Sequence, residues 1–197
     1  MHFAPDTEDT LDFTVALVNT HPGASRSGAD ELETPDQLGA FLLAQQFSGR
    51  IDHDDAELAE VRETRERLRR LWTLERDAAA VEVNTMLRAA RALPYLMRHD
   101  GFDWHLHATE PDAPVAERIR VEVALAIVDV IRTGETGRLR ECAADDCTGI
   151  LVDLSRNGSK RFCSVRCGNR MNMVAFRERA AAAAAQGATF VSTPSPH

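Results

Sequence analysis

Four cysteines lie within a short stretch near the C-terminal end of the chain. They are Cys142, Cys147, Cys163 and Cys167, spaced C-x4-C-x15-C-x3-C. Thiolates in two close pairs separated by a loop are a ligand pattern for tetrahedral zinc. Zinc imposes no d-electron geometry, and each pair spans a turn short enough to bring both sulfurs to one ion. An iron–sulfur centre, two disulfides and unrelated buried thiols are the alternatives; a reducing compartment disfavours disulfides. Four sulfur ligands leave no open position, so a single zinc ion here would be structural rather than catalytic. In a module this small, metal binding supplies much of the folding energy.

A second group of residues could hold a polyanion. Arg166, Arg170, Met173 and Arg177 follow one another at four, three and four residues, which places them on one helix face. With Arg156 and Lys160 just upstream they make a candidate phosphate-contacting surface, and Asn169 could read a base edge or brace the metal knuckle. The plainer reading is that these arginines form a solvated face or dock on the acidic remainder of the chain. A third group is thinner. His105 and His107 share one face of a short strand beside Trp104 and could line a ligand pocket, although an edge-strand histidine pair is the simpler account. Asn19 and Arg26 are candidates for an effector site.

Charge supports a division of labour. The 197 residues carry a formal net charge of -8. Residues 1–137 contain 14 Arg, no Lys and 26 Asp plus Glu, a net of -12, whereas residues 138–180 carry 9 basic and 5 acidic side chains, a net of +4. Such asymmetry favours a local anionic partner for the short basic part. Apolar residues make up 44% and charged residues 27%, an ordinary globular composition, with only 6% aromatics to build a core. No run approaches the roughly 18 apolar residues of a membrane span. The N-terminus shows no basic stretch leading into an apolar one, so the expected address is the cytoplasm. Phosphate-binding glycine loops, nucleophile elbows and His-Glu-x-x-His motifs are missing from the sequence, which argues against an enzyme.

The elements that must position these groups are mainly helical. Residues 1–10 read as frayed, and Leu11–Val18 as a strand or the first turns of a helix. Thr34-Pro35-Asp36 opens a helix that buries Leu38, Phe41 and Leu42 and ends by Gly49. Leu58, Val61, Leu68, Leu71 and Trp72 recur at helical spacing within Asp54–Ala90, whose length predicts a break near Thr73–Ala79. Val81, Thr85, Leu87 and Ala90 are the expected inner face of the second half. Pro94 ends it, Phe102–His107 alternates like a strand, and Val115–Ile131 is a strongly apolar, central helix. A linker with two glycines, Thr133–Gly137, marks a boundary. Beyond it, Gly149–Leu154 and Lys160–Cys163 read as the strands of a hairpin turning at Asn157-Gly158. Ser164 caps a helix running to Ala185, with Cys167 in its first turn, where the helix dipole favours a thiolate. On that helix Val165, Met171, Ala175 and Phe176 are expected to serve packing.

Cys163-Ser-Val-Arg-Cys-Gly-Asn-Arg170, preceded by Asp153-Leu-Ser-Arg-Asn157, closely resembles the CGNR zinc finger family. In that family the finger follows a helical domain named ABATE, a proposed stress-induced transcription regulator, and the finger is thought to bind DNA. Asp12-Phe13, Asn19-Thr20 and Thr34-Pro-Asp-Gln-Leu38 resemble the opening motifs of that domain. The fold class expected is therefore mainly α (α+β): a helical N-terminal domain with a short strand region, and a small C-terminal treble-clef-like zinc finger of hairpin and helix. The expected division is 1–137 regulatory domain, 138–186 finger and 187–197 disordered tail. The expected function is a non-enzymatic, zinc-dependent regulator binding double-stranded DNA, whose N-terminal domain senses a small-molecule effector or forms a homodimer. The alternative is a protein-interaction module whose finger docks a protein partner or its own N-terminal domain.

Overall fold

A computed structural model describes residues 3–99, 101 and 103–189, with side chains through residue 184. Phe102 of the expected strand and residues 190–197 of the expected tail lie outside the described residues. Helix α1, Pro5–Val18, has proline in its first turn beside Asp6 and Glu8, so both the fixed φ and the helix dipole favour its start. The ambiguous apolar run is thus helical, and the helix reaches back to Pro5, into the stretch expected to fray. Leu11, Leu17 and Val18 are fully buried. Helix α2, Pro35–Ala44, opens on Thr34, whose hydroxyl accepts from Gln37 N while the Gln37 side chain accepts from Thr34 N. It stops at Ala44, ahead of the Gly49 terminus expected.

Helix α3, Asp55–Trp72, is capped by Asp54 and inserts Leu58, Val61, Leu68, Leu71 and Trp72 into the core. The anticipated break separates it from α4, Arg76–Ala89. The inner face of α4 is Ala79, Val83 and Met86, and Val81 is solvent-exposed. The expected stripe was offset because α4 is aimed by its contact with α5, which local periodicity does not report. Strands β1, Tyr95–Met97, and β2, His105–His107, pair antiparallel with Met97 opposite His105. Helix α5, Val115–Thr133, runs through the middle against α1, α3 and α4, and ends at Gly134 in the left-handed conformation. Its Ile119, Val123, Ile127 and Val130 are fully buried.

A single 3-10 turn, Thr136–Arg138, leads to β3, Leu139–Glu141, which pairs antiparallel with β4, Ile150–Val152. Helix α6, Val165–Thr189, follows, running past the expected end at Ala185 and taking in residues 187–189 of the expected tail. The hairpin differs from expectation. Gly149–Leu154 does contain a strand, but its partner lies before the first cysteine pair, not at Lys160–Cys163. That later segment makes one ladder-like bond, Ala143 N to Arg161 O at 2.8 Å. A strand there is precluded because its backbone instead wraps the cysteine cluster. Ile150, Leu151 and Val152 are all buried, and Ile150 and Val152 belong to the same hydrophobic core as α1, α3 and α5. The described residues are therefore mostly helical, with two small antiparallel hairpins and a cysteine cluster beside the second.

Candidate metal centre

The β3–β4 hairpin presents the first cysteine pair. Cys142 follows β3 directly, and its N–H donates to Gly149 O at 2.7 Å; Cys147 N donates to Ala144 O at 3.0 Å, closing a tight turn. Ser164 Oγ accepts from Cys167 N at 3.2 Å, the expected cap, and brings Cys163 and Cys167 to the same point from the start of α6. The Cys147 and Cys163 sulfurs are 3.6 Å apart and those of Cys163 and Cys167 3.8 Å, and all four lie within 4.8 Å of one another. Sulfurs about 2.3 Å from a tetrahedral zinc are separated by about 3.8 Å, so the donor set fits that ion. All four cysteines are free, with sulfur separations that match shared coordination rather than an S–S bond. Gly149 N donates to Cys147 Sγ and Cys163 N to Cys142 Sγ, both at 3.4 Å, which stabilises sulfur as thiolate. Without a cation, burial and the neighbouring sulfurs push the Cys163 thiol far up. A dication removes that penalty, since coordinated thiols are deprotonated. Cys142, Cys147, Cys163 and Cys167 form a structural zinc site.

The side chains around the sulfurs hold them in place. Arg170 donates to Asp146 at 2.5 Å and to Cys167 Sγ at 3.6 Å, tying α6 to the turn between the first two cysteines. Gly168 sits against the Phe162 ring, where an added Cβ would make an ordinary contact at 3.4 Å. Gly149 is tighter: an added Cβ would lie 3.0 Å from both Cys163 Sγ and Asn19 Oδ1. Asp153, fully buried, accepts from Ser155 N, Ser155 Oγ, Lys160 N and Arg140. Burial opposes its charge, but the bonds from Ser155 and Lys160 and the Arg140 cation hold its carboxyl below the usual range. Its role had a legible signal, an Asp followed by Ser two residues on, the pattern of an Asx turn.

The basic residues divide into two sets. Arg166 donates to Arg26 O at 2.5 Å and Ser25 O at 3.2 Å, so it docks on the loop after α1. Arg170 is committed to the metal turn. Arg156, Lys160, Asn169 and Arg177 are exposed. The packing stripe expected on α6 is only partly present. Met171 packs against the cysteine cluster, but Val165 is 80% and Phe176 59% exposed, and every described side chain from residue 176 to 184 is exposed.

The finger docks on the helical domain through groups the sequence did not mark. Trp72 Nε1 donates to Leu151 O at 3.0 Å, Arg69 to Thr148 O at 2.6 Å, and Thr148 N to Gly23 O at 3.0 Å. Asn19, a candidate effector ligand, has its amide engaged by the main chain of Ile150. Arg26 is exposed, with its backbone bonded to Glu31 and Arg166. Neither lies with the histidines. His105 and His107 do share a face, and the structure adds His99, which sequence spacing alone does not associate with them. They line a cleft of about 700 Å³ between the β1–β2 hairpin, α1 and α5. Burial, followed by the His105 and His99 charges, pushes His107 down to about 4, so its ring is neutral at neutral pH. Burial pushes the nearby Glu122 up to about 7.

Fold and site together define a metal-binding protein, a helical domain carrying a cysteine-ligated finger. A family model described as "Putative stress-induced transcription regulator" (ABATE) matches residues 11–134, and the CGNR zinc finger model matches residues 138–180. The chain belongs to the ABATE family and carries a CGNR zinc finger; both are regulatory rather than catalytic. Among curated proteins none matches the chain. Among the described residues no helix is long and apolar enough to cross a membrane.

Proposed function

We propose that the protein regulates transcription by binding double-stranded DNA through its zinc-stabilised finger, residues 138–186, under the control of residues 1–137. The observation that carries this reading is the outer surface of the finger. Arg177 on α6, and Arg156 on the loop leading into it, are exposed and form no ion pair among the described residues; Asn169 and Lys160 are exposed as well. Exposed, unpaired cations are available for phosphates. Arg166 and Arg170, by contrast, serve the protein's own architecture. The N-terminal cleft is the place for an effector, and a homodimer would pair two half-sites.

The test is fluorescence anisotropy of the zinc-loaded protein on mixed genomic fragments over a salt series, beside an Arg156→Ala/Arg177→Ala double variant. Binding that weakens steeply with salt is expected, with the double variant's log–log slope shallower by about 2, one for each phosphate no longer neutralised. A folded, zinc-loaded protein that ignores DNA overturns the reading. The exposed Val165, Met173 and Phe176 favour the second reading, a protein partner seated on α6. That reading predicts salt-insensitive capture abolished by Phe176→Ser.

A further inference from the structure

We propose that His99, His105 and His107 form a second metal site, in the helical domain, that takes a divalent first-row transition metal ion through three imidazoles with a coordination position open to the adjoining cleft. The β1–β2 hairpin creates the cluster. His105 and His107 project from one face of β2, and His99 follows β1 just beyond Met97, the residue paired with His105. The three ring nitrogens converge. His107 Nε2 lies 2.9 Å from His99 Nε2 and 2.8 Å from His105 Nε2, and one ligand atom from each ring lies within 4.8 Å of the others. Imidazole nitrogens about 2.0–2.1 Å from a tetrahedral ion stand about 3.3 Å apart, so a small outward adjustment admits the metal.

The outer hydrogen-bond partners turn ring nitrogens toward one another, where a cation can be held. His105 Nδ1 is 2.7 Å from Asp103 O, a group that only accepts, so the proton of this ring is on Nδ1 and the Nε2 lone pair faces the cluster. His107 Nδ1 faces the Glu122 carboxyl group at 3.6 Å, which leaves its Nε2 turned toward the other two rings. The 2.8 Å contact between His107 Nε2 and His105 Nε2 is held by one shared ring proton in the metal-free trio, and a metal ion would replace that proton. A carbonyl and a carboxylate behind ligating imidazoles are the outer partners that fix tautomer and ring orientation in histidine metal sites. Three nitrogen donors select zinc, nickel, cobalt or copper over calcium or magnesium. Unlike the all-sulfur finger, three ligands leave room for water or an anionic ligand from the cleft, whose lining includes Asp6, Phe13, Trp104 and Arg118. The inference does not depend on DNA binding.

The experiment is isothermal titration of zinc chloride into tag-free, full-length protein whose finger is already zinc-loaded, with total metal measured by mass spectrometry. A second equivalent per chain is expected in the wild type and is lost in His105→Gln/His107→Gln, while the finger keeps its zinc and the melting temperature shows that the variant is folded. Should the double variant not fold, His99→Gln and the cobalt spectrum of the wild type replace it: nitrogen coordination without sulfur-to-metal charge transfer supports the site. A wild type that takes no second equivalent overturns the proposal, and so does a second equivalent that survives the histidine substitutions or a cobalt spectrum dominated by sulfur.

Discussion

The side-chain amide of Asn19 closes a two-way hydrogen bond with the main chain of Ile150: Nδ2 donates to Ile150 O at 2.9 Å, and Ile150 N donates to Oδ1 at 2.8 Å. The end of α1 thus acts as an edge partner for β4, satisfying both polar groups of a buried residue. Asn19→Ala leaves them unpaired and should cost about 2 kcal/mol. Asn19→Asp should cost at least as much, because a carboxylate keeps the acceptor but faces the Ile150 carbonyl with no donor. Urea unfolding of the three proteins checks the order.

Zinc removal should reach the helical core. The metal orders the turn before β4, and β4 contributes Ile150, Leu151 and Val152 to buried space. Losing that strand from the core should destabilise the protein by on the order of 5 kcal/mol. Trp72, 2% exposed and bonded to Leu151 O, is the built-in reporter, because Trp104 is already 64% exposed. Chelation under reducing conditions, or Cys163→Ser, should red-shift the emission and lower the melting temperature together. A helical domain that melts unchanged without zinc would contradict the shared core.

Arg170 holds both the Cys167 sulfur and Asp146, so Arg170→Ala should release the finger's zinc to a competing chelator about tenfold faster. Arg170→Lys should restore part of the charge effect but not the two-partner geometry. Stopped-flow transfer of zinc to a chromogenic chelator measures this directly.

Acid should weaken the loop that receives Arg166. Asp30 accepts two 2.7 Å bonds from the buried Arg65, and these bonds hold its carboxyl below the ordinary value of 3.8. The contribution is present above the unfolded-state pKa and is lost as pH falls below about 4, through the lower folded value. Asp30→Asn should flatten that part of the pH dependence. Near neutral pH, breaking the pair by Asp30→Ala should cost about 3 kcal/mol, since it strands a buried guanidinium. Chemical unfolding from pH 6 to pH 3, with wild type and Asp30→Asn compared at each pH, separates this effect from acid release of zinc.

Much of the molecule was legible from local chemistry. The four cysteines, the cap at Ser164, the Thr34-Pro35 helix start and the central apolar helix α5 follow from spacing and propensity, which act over a few residues. What the chain order could not convey was which surfaces meet. Arg166, Arg170 and Arg177 share a helix face in the sequence, yet only the fold commits the first to the backbone at Ser25 and Arg26 and the second to Asp146, leaving the third exposed. The strand paired with β4, the offset face of α4 and the approach of His99 to His105 and His107 all depend on contacts between segments distant along the chain or folded back across a turn. The same is true of Asn19, whose amide could serve any partner until Ile150, 131 residues away, is brought beside it. Periodicity specifies a face, but only packing decides what covers it, because the energy of burial and of a satisfied hydrogen bond resides in the pair.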